Sequence, residues 1–170
     1  MVEYWDLYDS ERRTLGRTHQ RGIPLEEGTY HVVVAVWTVN SEGKLLTTLR
    51  SPEKELYPGL WENTSGSALS GESSREAALR ELEEETGITV TDEQIEFLGT
   101  VQKAASFVDI YLVSLTEGED VVHLQEGETI DSRWVTLPEL DEMFESGLLA
   151  FPLSYQFSHF RTIIEERWHG

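Results

Sequence analysis

Apolar residues along the chain fall into short blocks divided by turn-forming residues. "HVVVAVWTVN" (31 to 40) is a β-branched run and predicts a buried strand. "SEG" (41 to 43) signals a turn, and "KLLTTLR" (44 to 50) predicts the returning strand. "SPEKELYPG" (51 to 59), with two prolines and a glycine, predicts a loop. "EFLGTVQKA" (96 to 104) and "FVDIYLVSL" (107 to 115) predict strands, and "SRWVTL" (132 to 137) a short one. "PELDEMFESG" (138 to 147) predicts a helix with proline at its first position and glycine at its end. "LSYQFSHFRTIIEERW" (153 to 168) predicts a terminal helix packed on the sheet. Strands mixed with helices predict an α/β (α+β) fold, a mixed sheet with helices on its faces. No linker or internal repeat divides the sequence, which predicts one domain over residues 1–170.

The strongest local signal is the helix predicted over 74–86. Ser73 followed by Glu76 is a capping box, and Gly87 marks the C-terminus. Within it, "RELEEETGI" (80 to 88) crowds Glu81, Glu83, Glu84 and Glu85, although like charges at helical spacing repel by a few tenths of a kcal/mol per pair. At about 100° per residue, with Glu81 at zero, Glu85 falls near about +40° and Glu84 near about −60°. Glu83 lies near about 200°, on the far side. Ala78, Leu79 and Leu82 form a core stripe beside the acidic one. Arg80 falls between Glu76 and Glu84, four residues from each, placed to hold Glu84 and offset its charge. Clustered carboxylate oxygens on one stripe suit a hard divalent cation such as Mg²⁺.

Composition narrows the partners. Lys plus Arg total 13 against 32 for Asp plus Glu, a formal charge of -19. Such a surface repels nucleic acid and anionic membranes, so neither is an expected partner. An anionic ligand would need local sign inversion, for which a bound cation is the simplest device. The chain has no cysteine, which excludes disulfides, thiolate metal sites and a cysteine nucleophile. No apolar run approaches a membrane span, and "MVEYWDLYDS" lacks the basic and apolar blocks of a signal peptide, so the expected location is cytoplasmic.

From Gly66 to Ile88 the chain reads "GSALSGESSREAALRELEEETGI". Gly66, Glu72, Arg80, Glu81, Leu82, Glu84, Glu85, Gly87 and Ile88 stand at the fixed positions of the Nudix box. Nine such matches arise by chance on the order of 10⁻⁹ per start position. The chain therefore resembles the Nudix hydrolase superfamily, whose box is a loop–helix–loop on an α/β/α sandwich. The resemblance implies Mg²⁺- or Mn²⁺-dependent hydrolysis of a small-molecule diphosphate, in this family usually a nucleoside diphosphate linked to another moiety. It implies Glu81, Glu85 and Glu84 as metal ligands, with Glu84 and Glu85 also in the catalytic set. Glu72 would support the site from behind those ligands, and Arg80 would orient the cluster by ion pairing. Gly66 and Gly87 would permit tight turns. Many such proteins add an acidic residue from a later loop. Here "QEGETIDSRWV" offers Glu126 and Glu128, and Glu128 is the favoured extra ligand or general base.

A narrower resemblance is to isopentenyl diphosphate isomerases and the hydrolases similar to them. It rests on "WDLYDSERRTLGRTHQRG" and on "HVVVAVWTVNSEGKLLTTLRSPEKELYPGLW". In the isomerase a basic pair matching Arg50 and Lys54 grips the diphosphate. Isomerisation itself does not carry over. The segment "WENTSGSALSGE" holds no cysteine after its tryptophan, and the isomerase's later histidine is also missing, with Ser67 near that place. His31 matches an isomerase metal histidine in context, and His19 matches more loosely. The isomerase glutamate pair of a later strand is absent, with Asp109 nearby. Trp61 and Phe151 are the aromatics expected to wall the substrate pocket. Hydrolysis is the leading expectation, with isomerase-like activity and a non-catalytic binding module as alternatives. A homodimer is among the assemblies the sequence leaves open.

Overall fold

A computed structural model describes residues 1–168, excluding the side chains of Phe151, Pro152, Ser154, Tyr155, Phe160, Arg167 and Trp168. Among these residues, nine strands and three α-helices follow in the order β1 (Tyr4–Tyr8), β2 (Thr14–Gln20), β3 (His31–Val39), β4 (Leu45–Arg50), β5 (Trp61–Glu62), β6 (Thr64–Ser67), α1 (Ser74–Thr86), β7 (Ile95–Gln102), β8 (Ser106–Ser114), β9 (Thr129–Val135), α2 (Leu137–Glu145) and α3 (Phe151–Trp168), with a short 3-10 turn at Asp92–Gln94. β1 and β2 form a separate two-stranded antiparallel sheet. The main sheet runs β5-β4-β3-β8-β7, with β6 also on β3 and β9 also on β4. β3 and β8 are parallel and the other pairs antiparallel, so the sheet is mixed, as expected.

The β-branched run of β3 is continuous because both of its faces are covered. Ala35 and Trp37 join one core with Leu45, Ile110, Val135, Leu140, Leu153, Phe157 and Ile164, which lies under α2 and α3. Val32, Val34 and Val36 join the other with Leu46, Ala77, Ala78 and Leu82, which lies under α1. The result is helix, sheet and helix in three layers.

β3 and β4 are joined by a tight turn in which the Asn40 Oδ1 accepts from the Glu42 N–H (3.1 Å) and the Lys44 N–H (2.9 Å). Beyond Val39↔Leu45 the two strands part. β3 continues along β6 through Val33–Val36, while β4 continues along β5 and β9. This splay opens the sheet beneath α1, and the cleft described below lies there.

Several local expectations are corrected. The stretch 132 to 137 is not one strand: β9 begins earlier, at Thr129, and ends at Val135. Thr136 is the N-cap of α2, with its own capping box to Glu139, so Leu137 opens the helix and Pro138 is its second residue. Gly66 is not a turn residue; it lies within β6, opposite Val34. Among the described residues, no helix is long and apolar enough to cross a membrane.

Candidate active site

α1 begins at a complete capping box, in which Ser73 accepts from the Glu76 N–H (3.1 Å) and Glu76 accepts from the Ser73 N–H (2.8 Å). It ends at Gly87 in the left-handed conformation (φ 73°), whose N–H donates to the Glu83 carbonyl at 2.8 Å. These fixed ends set the rotation of the helix. Ala77, Ala78 and Leu82 face the core, Glu83 is exposed, and Glu81, Glu84 and Glu85 all line one cleft of about 430 Å³.

The three cleft glutamates sit at different depths. The Glu84 side chain is 49% exposed and that of Glu81 only 14%. Glu85 lies deepest: one carboxylate oxygen, Oε2, is buried with no hydrogen-bond partner. Burial pushes the Glu85 carboxyl well above its usual range, and the nearby Glu81 and Glu62 charges push the same way. The Ser65 N–H and the Lys54 charge oppose this without reversing it. Burial likewise raises Glu81 against the pull of Arg80, with Glu84 and Glu3 adding repulsion.

Arg80 is the hub of this arrangement. Its guanidinium takes Glu72 in a two-pronged grip (2.7 and 2.9 Å) and donates to Glu81 Oε1 (2.9 Å), Glu84 Oε2 (3.2 Å) and the Ser67 carbonyl (3.1 Å). The Glu84 contact is the one that helical spacing predicts, while Glu76, also four residues from Arg80, is committed to the capping box. Glu72 also accepts from the Leu69 N–H (3.1 Å), which ties the loop before α1 to the helix. Against the upward push of burial, Arg80 holds the Glu72 carboxyl below its usual range. Arg80 therefore fixes the orientation of the Glu81 and Glu84 carboxylates.

Gly66 supplies the space. A Cβ built on it would lie 2.1 Å from Glu81 Oε1, so only glycine lets this carboxylate rest against β6.

Arg50, Lys54 and Glu128 line the same cleft. Arg50 bridges both oxygens of Glu62 (3.0 and 2.9 Å) and donates through Nε to the Leu56 carbonyl (2.9 Å), bracing the 51–60 loop. Lys54 pairs with Glu128. Glu126 is exposed and not among the lining residues.

Trp61 is not among the residues lining the cleft; it packs against the core beneath α2 and α3, with the Arg133 guanidinium over its ring. Phe151 lies outside the residues whose side chains are described. His31 stacks on Trp5 (centroids 3.9 Å apart, 9° between planes), and His19 donates through Nε2 to the Ile23 carbonyl at 2.7 Å. Neither histidine lines the cleft. Asp109 is engaged elsewhere, in a two-pronged pair with Arg12 (2.7 and 2.6 Å) and a hydrogen bond from Thr100 (2.7 Å).

Sequence reasoning missed Glu3, Arg21, Glu62, Ser65, Gln125 and Thr129, all of which line the cleft. No local pattern marks them, since tertiary folding alone gathers them from four separate stretches.

The donor set suits a hard divalent cation: hard carboxylate oxygens, one of them buried without a partner, in a cleft with a glycine cradle. Among the described residues no three carboxylate or imidazole groups stand close enough to form a finished cage. Arg80 holds oxygens of Glu81 and Glu84 that a cation would compete for.

A family model for the NUDIX domain matches residues 29–151. An uncharacterized Nudix hydrolase of Listeria monocytogenes is 37% identical over 152 residues, covering 86% of this chain and 87% of that protein. An isopentenyl-diphosphate delta-isomerase of Salmonella typhi is 25% identical over 159 residues, covering 90% of this chain and 86% of that protein. A crystal structure from Deinococcus radiodurans superposes with a TM-score of 0.76 at 23% identity, covering 92% of this chain and 98% of that one, and shares the fold. With Glu81, Glu84 and Glu85 of its box gathered on one cleft and the family model spanning most of its length, the chain belongs to the Nudix hydrolases.

Proposed function

We propose that the protein hydrolyses a phosphoanhydride bond in a nucleoside diphosphate derivative or a related organic diphosphate, with Mg²⁺ or Mn²⁺. The observation that carries this reading is the buried, unpartnered Glu85 oxygen beside Glu81, in a cleft that also presents Arg50 and Lys54. A buried carboxylate without a partner is costly unless a cation or proton joins it.

Glu81, Glu85 and Glu84 would hold the metal. Once bound, it would offset charge on the phosphoryl oxygens and favour attack by water. The protein's own groups do the rest. Arg50 and Lys54 bind the diphosphate, exchanging carboxylate partners for phosphate oxygens. Glu128, released from Lys54 in that exchange, accepts the proton of the attacking water. Arg80 keeps Glu81 and Glu84 aimed while the charge in the cleft changes. Isomerisation is not favoured, since the chain offers no thiol for proton transfer. A cytoplasmic location belongs to the same reading and rests on the cysteine-free composition.

The test is phosphate or nucleotide release from a panel of nucleoside diphosphate derivatives, with Mg²⁺ or Mn²⁺, for the wild type and Glu85→Gln. Turnover that requires metal and falls by more than about a hundredfold in the variant is expected. Turnover unaffected by Glu85→Gln would reject the reading.

A further inference from the structure

The family model begins at residue 29, yet two residues before it, Glu3 and Arg21, line the cleft. They meet at the open end of the β1–β2 hairpin. The Arg21 N–H donates to the Glu3 carbonyl at 2.9 Å, and its guanidinium pairs with the Glu3 carboxylate at 2.6 Å.

The hairpin is fastened on several sides. The Ser70 N–H donates to the Tyr4 carbonyl (2.8 Å), and Asp6 accepts from the Ser70 hydroxyl (2.8 Å) and the Gly71 N–H (2.9 Å). These bonds tie it to the loop leading into α1. Trp5 stacks on His31 at the start of β3, and Tyr8 exchanges backbone hydrogen bonds with Tyr30 (2.8 and 2.9 Å). Arg21 is thus held beside the cleft by packed structure.

The cleft is polar and mostly charged. Arg21, Arg50 and Lys54 are its cations, and each is paired with a cleft carboxylate, Glu3, Glu62 and Glu128 respectively. Among the described residues no aromatic or aliphatic side chain lines it. Its volume of about 430 Å³ leaves room beyond a bare diphosphate. A ligand portion filling this space meets only polar and charged side chains. An arginine fork suits a phosphate, and a neighbouring carboxylate would hold the fork ready until phosphate displaces it.

We propose that Arg21 binds a further phosphate of the substrate, beyond the two held by Arg50 and Lys54, and that Glu3 competes with that phosphate for the guanidinium. The inference rests on the anhydride-hydrolysis reading for the roles of Arg50 and Lys54, and adds a preference for three phosphates over two.

The test is equilibrium binding, independent of turnover. Methylene-bridged diphosphate and triphosphate analogues are titrated by calorimetry into the wild type, Arg21→Ala, Arg21→Lys and Glu3→Gln, at fixed Mg²⁺. Arg21→Ala should weaken the triphosphate analogue by about tenfold and change the diphosphate analogue by less than about twofold. Arg21→Lys should restore part of the loss, and Glu3→Gln should tighten triphosphate binding. Circular dichroism confirms that each variant is folded. If Arg21→Ala and Glu3→Gln shift affinity in the same direction, the pair is structural and the inference falls. Equal shifts for both analogues, or none, also overturn it. Failure of hydrolysis across the substrate panel would reject the catalytic reading and leave these affinity ratios readable.

Discussion

At the scale of single residues, Gly66 and Glu83 separate the demands of the cleft from those of the helix. The space a Gly66 side chain would occupy is filled by the Glu81 carboxylate. Gly66→Ala should displace that flexible carboxylate while leaving β6 and the core intact. The expected result is a loss of turnover of roughly a hundredfold with a small change in melting temperature, measured by kinetics and thermal unfolding. Glu83 has the same chemistry as its neighbours but is exposed outside the cleft, so Glu83→Gln should keep turnover within about twofold. This sorting of the glutamates was legible in the sequence, because helix rotation depends only on spacing. The Arg80–Glu84 contact was legible for the same reason, but the Arg80–Glu72 grip was not. Glu76 also lies one turn from Arg80, but the capping box, visible as Ser73 and Glu76, takes that side chain. Glu72 then arrives from outside the helix, where helical periodicity gives no guidance.

At the scale of elements, α1 and the β3–β4 hairpin were readable and the β1–β2 hairpin was not, for one physical reason. A buried face imprints an apolar pattern on an element, and β2 has almost no buried face: Thr14 to Thr18 are all exposed. The β1–β2 hairpin is instead held by point contacts, among them Trp5 stacked on His31. Burial lowers the His31 imidazole from its ordinary 6.5 to about 4, with the His19 and Arg21 charges acting the same way. Between those values the unfolded chain binds more proton than the folded one, so stability falls as pH drops from about 6.5 towards about 4. His31→Phe should flatten that part of the profile by up to one proton's worth, about 1.4 kcal/mol per pH unit. Urea unfolding at several pH values checks this. An unchanged slope would mean that His31 is not held neutral beneath the hairpin.

At the scale of the whole molecule, a three-layer fold with a formal charge of -19 concentrates charged groups in the opening where β3 and β4 part. The acidic balance and the box motif made a carboxylate-rich cleft readable from sequence, while its outer lining was not, since Glu3, Arg21, Glu62 and Gln125 come together only on folding. Under the proposed function, Glu85 is a buried carboxylate, destabilising on its own and satisfied by a divalent cation. Thermal unfolding of the wild type and Glu85→Gln at neutral pH, with and without Mg²⁺, tests this most directly. Mg²⁺ should raise the melting temperature of the wild type by preferential binding to the folded state. Without metal, Glu85→Gln should melt higher than the wild type, since it removes a carboxyl whose ionisation burial opposes, and Mg²⁺ should then add nothing. A Glu85→Gln variant that melts lower than the wild type without metal, and still gains the full Mg²⁺ shift, would contradict the account.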